Sequence, residues 1–142
     1  MFAKQLSVFI ENRQGRLGEV LNVLKENGVN ILSLSLADTT EYGLLRLIVS
    51  DPETGKEKLA VAGFSSLLSD VLIIEIPHKA GSLQGLLKSI ELEGVNIEYM
   101  YGLSIDGEQA YVVLKASNLE KADKAITAAG IKTVSREKLS AM

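Results

Sequence analysis

Leu6, Val8 and Ile10 recur with period two over residues 5–10, with Gln5 and Ser7 between them, the pattern of a half-buried β-strand. Leu17, Val20, Leu21 and Leu24 then recur at the spacing i, i+3, i+4, i+7, which lines one face of an α-helix. Gly28 follows where a helix stop is wanted, because glycine takes the left-handed cap conformation at little cost. Leu32, Leu34 and Leu36 alternate with Ser33 and Ser35 in a second strand, and residues 44–49 form a third, apolar enough to be covered on much of both faces. Asp51-Pro52 reads as an N-cap with proline at the first helical position. The helix it opens runs through Leu59 and Ala62 to Gly63, and residues 64–68 make a last strand.

The same order returns. Residues 71–76 are strand-like, Leu83, Leu86, Leu87 and Ile90 make a helix stripe, and Gly94 ends it. Residues 97–105 and 110–114 predict a hairpin across Asp106-Gly107, a tight-turn dipeptide. Ser117 with Glu120 fits a capping box for a helix striped by Leu119, Ala122, Ile126 and Ala129. Gly130 stops it, and residues 131–134 close the set.

This recurrence is an internal repeat. Gly15 and Leu17 match Gly81 and Leu83, and Gly28-Val29-Asn30-Ile31 matches Gly94-Val95-Asn96-Ile97, all at an offset of 66 (81 − 15 = 94 − 28 = 66). The register is expected to hold from about residue 6 to about residue 50 without a gap. Two modules follow, residues 1–69 and 70–142, meeting near Ser69-Asp70 with almost no linker. The order β-α-β-β-α-β, twice, predicts an α+β fold: two ferredoxin-like modules in tandem, each an antiparallel sheet with two helices on one face.

Composition narrows the function. The 142 residues carry 15 Lys and Arg against 18 Asp and Glu, a net charge of −3, which argues against a partner held by phosphate neutralisation, so no nucleic acid is expected. With no cysteine, disulfides, thiolate metal sites and cysteine nucleophiles all drop out. No apolar run approaches the roughly 20 residues of a membrane span. The start of the chain lacks a signal peptide's pattern, so the expected location is cytoplasmic, without a membrane. A single histidine, His78, excludes histidine clusters for metals and any Ser-His-Asp triad that does not use it. Asp106 and Glu108 read as a solvated hairpin tip. Tyr99 and Tyr101 share a strand face beside Tyr111, but the basic, glycine-spaced run of RNA-binding sheets is missing, so sheet packing or a partner contact explains them better. No catalytic apparatus, cofactor motif or metal set is visible, and the chain is expected not to be an enzyme.

The candidate chemistry lies in the turns from first strand to first helix. They read Asn12-Arg13-Gln14-Gly15-Arg16-Leu17 and His78-Lys79-Ala80-Gly81-Ser82-Leu83. Glycine there permits a tight turn and close approach of a ligand. A helix N-terminus offers unpaired N–H groups and the positive end of the dipole, which suits a carboxylate. Arg13, Arg16 and Lys79 add positive charge. Asn30 and Asn96, each before a second strand, offer both a donor and an acceptor. For any one residue, backbone geometry alone is the simpler account, and recurrence in both modules is what favours a ligand.

These turns, with Gly28-Val29-Asn30-Ile31 and Gly94-Val95-Asn96-Ile97, resemble the ACT domain, in the form carried by the regulatory domain of 3-phosphoglycerate dehydrogenase. The likeness covers nearly the whole chain in two copies. It implies βαββαβ modules that bind small ligands, usually amino acids, where two such modules meet. By that resemblance the effector contacts carry over to Asn12 and Asn30, with Ile31, and in the second module to His78 and Asn96, with Ile97. His78 replaces the family's asparagine, and Gln14 and Ala80 stand where proline is common. The implied protein senses an amino acid as a homodimer and regulates a metabolic enzyme in trans. The alternative is a regulatory small subunit of an amino-acid biosynthetic enzyme such as acetolactate synthase.

Overall fold

A computed structural model describes residues 2–38 and 41–141. In chain order the elements are β1 (Ala3–Glu11), α1 (Arg16–Glu26), β2 (Ile31–Asp38), β3 (Tyr42–Val49), α2 (Pro52–Val61) and β4 (Ser65–Pro77). They continue with α3 (Ser82–Glu91), β5 (Ile97–Asp106), β6 (Gln109–Ala116), α4 (Leu119–Ala128), β7 (Lys132–Thr133) and α5 (Arg136–Ser140). The chain divides into two compact units, Lys4–Ser69 and Asp70–Lys138; Phe2 and Ala3 go with the second and Leu139 with the first. Each unit has the ferredoxin-like plan, and the two follow one another in tandem along the chain.

In the first unit the strand order is β2-β3-β1, antiparallel, with Leu6 opposite Leu47 and Val8 opposite Leu45. The apolar stripes converge on one face of this sheet. Leu6, Val8 and Ile10 of β1 and Leu45 and Leu47 of β3 pack with Val20 and Leu24 of α1 and Leu59 of α2. Each fully buried leucine here contributes about 1.5–3 kcal/mol relative to exposure. Gly55 of α2 meets this layer so closely that a Cβ would stand 3.1 Å from Leu6 Cδ2 and 3.3 Å from Leu24 Cδ2. That proximity gives a helix-interior glycine a reason to be there.

In the second unit the order is β4-β6-β5, with β7 beside β4. Leu72, Ile74 and Ile76 pack with Leu86, Ile90, Ala122 and Ile126 in the equivalent core. The opposite sheet faces are not open, as simple alternation would have them. Gln5, Ser7 and Ile48 in the first unit, and Ile73, Val113 and Tyr111 in the second, are all buried. Gln5 Nε2 donates to Ser7 Oγ at 3.1 Å, as buried polar groups require.

Four expectations are corrected. The strands expected over residues 64–68 and 71–76 are one, β4, because Ser69-Asp70 contains neither glycine nor proline to break an extended run. Ser117 does not form the capping box with Glu120. Asn118 is the N-cap of α4 and accepts from the Lys121 N–H at 3.0 Å. The closing strand of the second unit shrinks to β7, and Ser135 Oγ accepts from the Lys138 N–H at 3.1 Å at the start of α5, a helix that carries no stripe long enough to announce itself.

The fourth concerns the repeat register. Up to Asn30 and Asn96 the offset is 66, but the N-caps Asp51 and Asn118 are 67 apart (118 − 51 = 67), as are Gly63 and Gly130 (130 − 63 = 67). The ladders locate the extra residue. Leu36 pairs with Leu45 and Ala37 with Leu44, whereas Gly102 pairs with Val112 and Ser104 with Tyr111. Leu103 is therefore the inserted residue, a β-bulge whose side chain is buried. Sequence matching misses a bulge because both sides of it keep the same hydropathy.

Candidate functional site

The two strand-to-helix turns are the same backbone with different side chains. In the first, the Arg13 N–H donates to Glu11 O, Arg16 N–H to Arg13 O, and Glu19 N–H to Gly15 O. In the second, the Lys79 N–H donates to Pro77 O, Ser82 N–H to Lys79 O, and Gly85 N–H to Gly81 O. Gly15 and Gly81 are the N-caps, at φ 89° and 87°, a left-handed conformation that any side chain would strain. Each turn is also tied to the hairpin beside it: the Asn12 N–H donates to Glu41 O at 3.0 Å and the His78 N–H to Glu108 O at 2.6 Å.

A glycine N-cap brings no side-chain acceptor. Among the described residues the N–H groups of Leu17 and Gly18, and of Leu83 and Gln84, have no acceptor. Four orphan amides at two helix starts are places where an anion is welcome.

The side chains around them differ. Arg13 pairs with Glu11 at 2.9 Å, and Arg16 Nη1 with Glu19 at 2.6 Å. The Arg16 guanidinium also lies over the Phe64 ring, Cζ 4.2 Å from its centroid, so this cation is committed to its own helix and core. Leu17 is partly buried against the core, while Asn12 and Gln14 are exposed. In the second turn His78, Lys79, Ala80 and Leu83 are exposed, and among the described residues Lys79 forms no ion pair. Pro77, His78, Lys79, Glu108 and Gln109 line a cleft of about 380 Å³. The Ser82 Oγ is buried without a hydrogen-bond partner among the described residues.

Asn30 and Asn96 stand elsewhere. Asn30 lies in a second cleft of about 380 Å³ with Leu21, Lys25, Gly28, Val29 and Ile31, past the C-terminal end of α1. The 11 residues of α1, about 16 Å at 1.5 Å per residue, stand between the first turn and Asn30, and the 10 residues of α3, about 15 Å, stand between the second turn and Asn96. Ile31 and Ile97, the first residues of β2 and β5, pack against their cores. The sequence-derived candidates thus form two clusters at opposite ends of a helix, in each module alike.

Sequence reasoning missed four partners. Glu41 and Glu108 offer only their backbone carbonyls to the turns, which no residue type announces. Ser50 and Ser117 bind Asn30 and Asn96: the Asn30 N–H donates to Ser50 Oγ at 2.8 Å and the Asn96 N–H to Ser117 Oγ at 3.1 Å. The one-residue bulge had taken these serines out of register. Tyr111 is unavailable for stacking, since it is buried with its hydroxyl donating to Glu75 Oε1 at 3.2 Å.

Among the described residues no group of three or more His, Asp or Glu could hold a metal ion, and no helix is long and apolar enough to cross a membrane.

A family model described as ACT domain pair matches residues 1–142. The crystal structure of protein BT0572 from Bacteroides thetaiotaomicron is 36% identical, covering 100% of this chain and 98% of that one, with a TM-score of 0.95. The ligand-free regulatory subunit of aspartate kinase from Thermus thermophilus has the same fold at 16% identity and a TM-score of 0.65, over 89% of this chain and 91% of that one. Its counterpart from Thermus flavus reaches 17% and 0.63, over 92% and 94%. No curated protein matches the chain.

Proposed function

The chain belongs to the ACT domain pair family, and we propose that it is a regulatory protein that binds a free amino acid. The carboxylate would be received by the open amides at Gly15 and Gly81, and the rest of the polar head by Asn30 or Asn96. One observation carries the detail. Turn and asparagine lie about 15–16 Å apart along α1 or α3, yet an α-amino acid carries its carboxylate and ammonium on one carbon atom. A single module cannot offer both clusters to one such ligand. A second module must complete the site, and in the proposed arrangement it belongs to a second copy of the chain, whose asparagine comes beside the first copy's turn, so that the working form is a homodimer.

Ligand bound in this way ties two copies together, and that change of assembly is the signal passed to a metabolic enzyme in trans. Coupling of this kind requires the two assembly states to differ in affinity. A thermal-shift screen of the twenty amino acids tests the reading, since a ligand of the folded state raises the melting temperature. One amino acid should stabilise the chain strongly, and Asn30→Ala with Asn96→Ala should abolish that shift while leaving the unliganded melting temperature nearly unchanged. A flat panel would defeat the amino-acid reading. A second reading, a regulatory subunit held on a catalytic partner, draws on the Thermus aspartate kinase subunits, which match this chain over nearly their whole length. Recovery of a stoichiometric enzyme with the chain purified from its own cells would favour it.

A further inference from the structure

We infer that Ser50 and Ser117 are positioning residues for the two asparagines, an assignment that rests on the amino-acid reading above. Each serine grips its asparagine by two reciprocal bonds. The Asn30 N–H donates to Ser50 Oγ (2.8 Å) and the Ser50 N–H donates back to Asn30 O (2.9 Å). The Asn96 N–H donates to Ser117 Oγ (3.1 Å) and the Ser117 N–H donates back to Asn96 O (2.8 Å). The arrangement survives the bulge at Leu103, which shifts the serine by one place against the asparagine it holds (50 − 30 = 20; 117 − 96 = 21).

The location explains the need for a clamp. Both asparagines lie just before the sheet begins, and the ladder is irregular immediately after, between Ile31 and Ser33 and between Ile97 and Tyr99. The last regular pairs before the asparagines are Ile31 with Val49 and Ile97 with Ala116, and the serine hydroxyls hold the asparagine N–H groups one residue beyond them. On the other side Val29 and Val95 are buried in the cores, and the Val29 N–H donates to Leu24 O at 2.9 Å. The valine and the serine fix the main chain from both directions. The amide side chains of Asn30 and Asn96 are exposed and have no partner among the described residues. A fixed backbone carrying an unspent donor and acceptor leaves only the side-chain torsions to be ordered on binding, so part of the ordering entropy is already lost.

The test uses the full chain and Ser50→Ala, Ser117→Ala and the corresponding threonine variants, which retain the hydroxyl. Each of the twenty amino acids is screened singly by thermal shift, and the one giving the largest rise is titrated calorimetrically. In the alanine variants the dissociation constant should rise about five-fold, the worth of one hydrogen bond, and threonine should restore it. A role in stability alone would lower the melting temperature and leave the dissociation constant in place. Amide hydrogen exchange of Asn30 and Asn96, read without any amino acid, should accelerate in the alanine variants. Unchanged affinity in a chain whose wild type responds, or an unchanged exchange rate, overturns the positioning role alone. A flat amino-acid panel overturns the binding reading and this assignment with it.

Discussion

Gly15 and Gly81 show how much one residue type decides. At φ 89° and 87° a side chain would cost about 1–2 kcal/mol, although open space surrounds both positions. Gly15→Ala should therefore destabilise the chain by about 1–2 kcal/mol in urea denaturation. Gly18 provides the contrast. It lies inside α1 at an ordinary φ with nothing near its missing Cβ, so Gly18→Ala should stabilise by roughly 0.5–1 kcal/mol. Equal effects of the two substitutions would show that helix propensity, and not the left-handed turn, governs the first. Arg16 makes the opposite point. Its place in the turn suggested a ligand contact, but its guanidinium is occupied by Glu19 and the Phe64 ring. A cation's position along the chain does not reveal which way it folds.

At the level of elements, the two modules differ where a helix or a hairpin had to be fitted differently. α2 approaches its sheet at Gly55, and 67 residues on (122 − 55 = 67) α4 carries Ala122, fully buried in its own core. The first module has no room for more. Gly55→Leu should cost about 1–3 kcal/mol through overpacking against Leu6 and Leu24, measured as a fall in the denaturation midpoint with an unchanged slope. The hairpin of β5 and β6 takes its extra residue as the bulge at Leu103, and the reciprocal bonds of Asn96 and Ser117 close regardless. Most element ends were legible: the stripes of α1 and α3, the Asp51 cap that accepts from the Thr54 N–H at 3.1 Å, and the positive-φ glycines 28, 63, 94 and 130. The bulge, the fusion of two strands into β4, and α5 were not. Each depends on pairing or packing that leaves no periodic trace.

For the whole molecule, the strongest prediction follows from the split site. If the turn of one copy meets the asparagine of another, then in a His78→Ala, Asn96→Ala background, which removes the second module's groups, Asn12→Ala and Asn30→Ala chains should each lose most of the remaining amino-acid binding. Refolded together at equal amounts, they should regain it in the mixed dimers, where one intact turn meets one intact asparagine. Calorimetric stoichiometry of the mixture checks this, and failure to recover would place both groups in one copy or discard one of them. The sequence by itself determined the duplicated plan, the helix and sheet faces that form each core, and the residue types at the turns. Periodicity and glycine placement are local, and two copies of them reinforce each other. Only the tertiary structure decided that Arg16 turns away onto Phe64 and that Ser50 and Ser117 hold the asparagines. It also decided that Gln5 and Ser7, polar residues on the sheet face away from the helices, are buried. These are relations between residues far apart in the chain, set by how strands register and side chains pack, and a linear pattern carries no record of them.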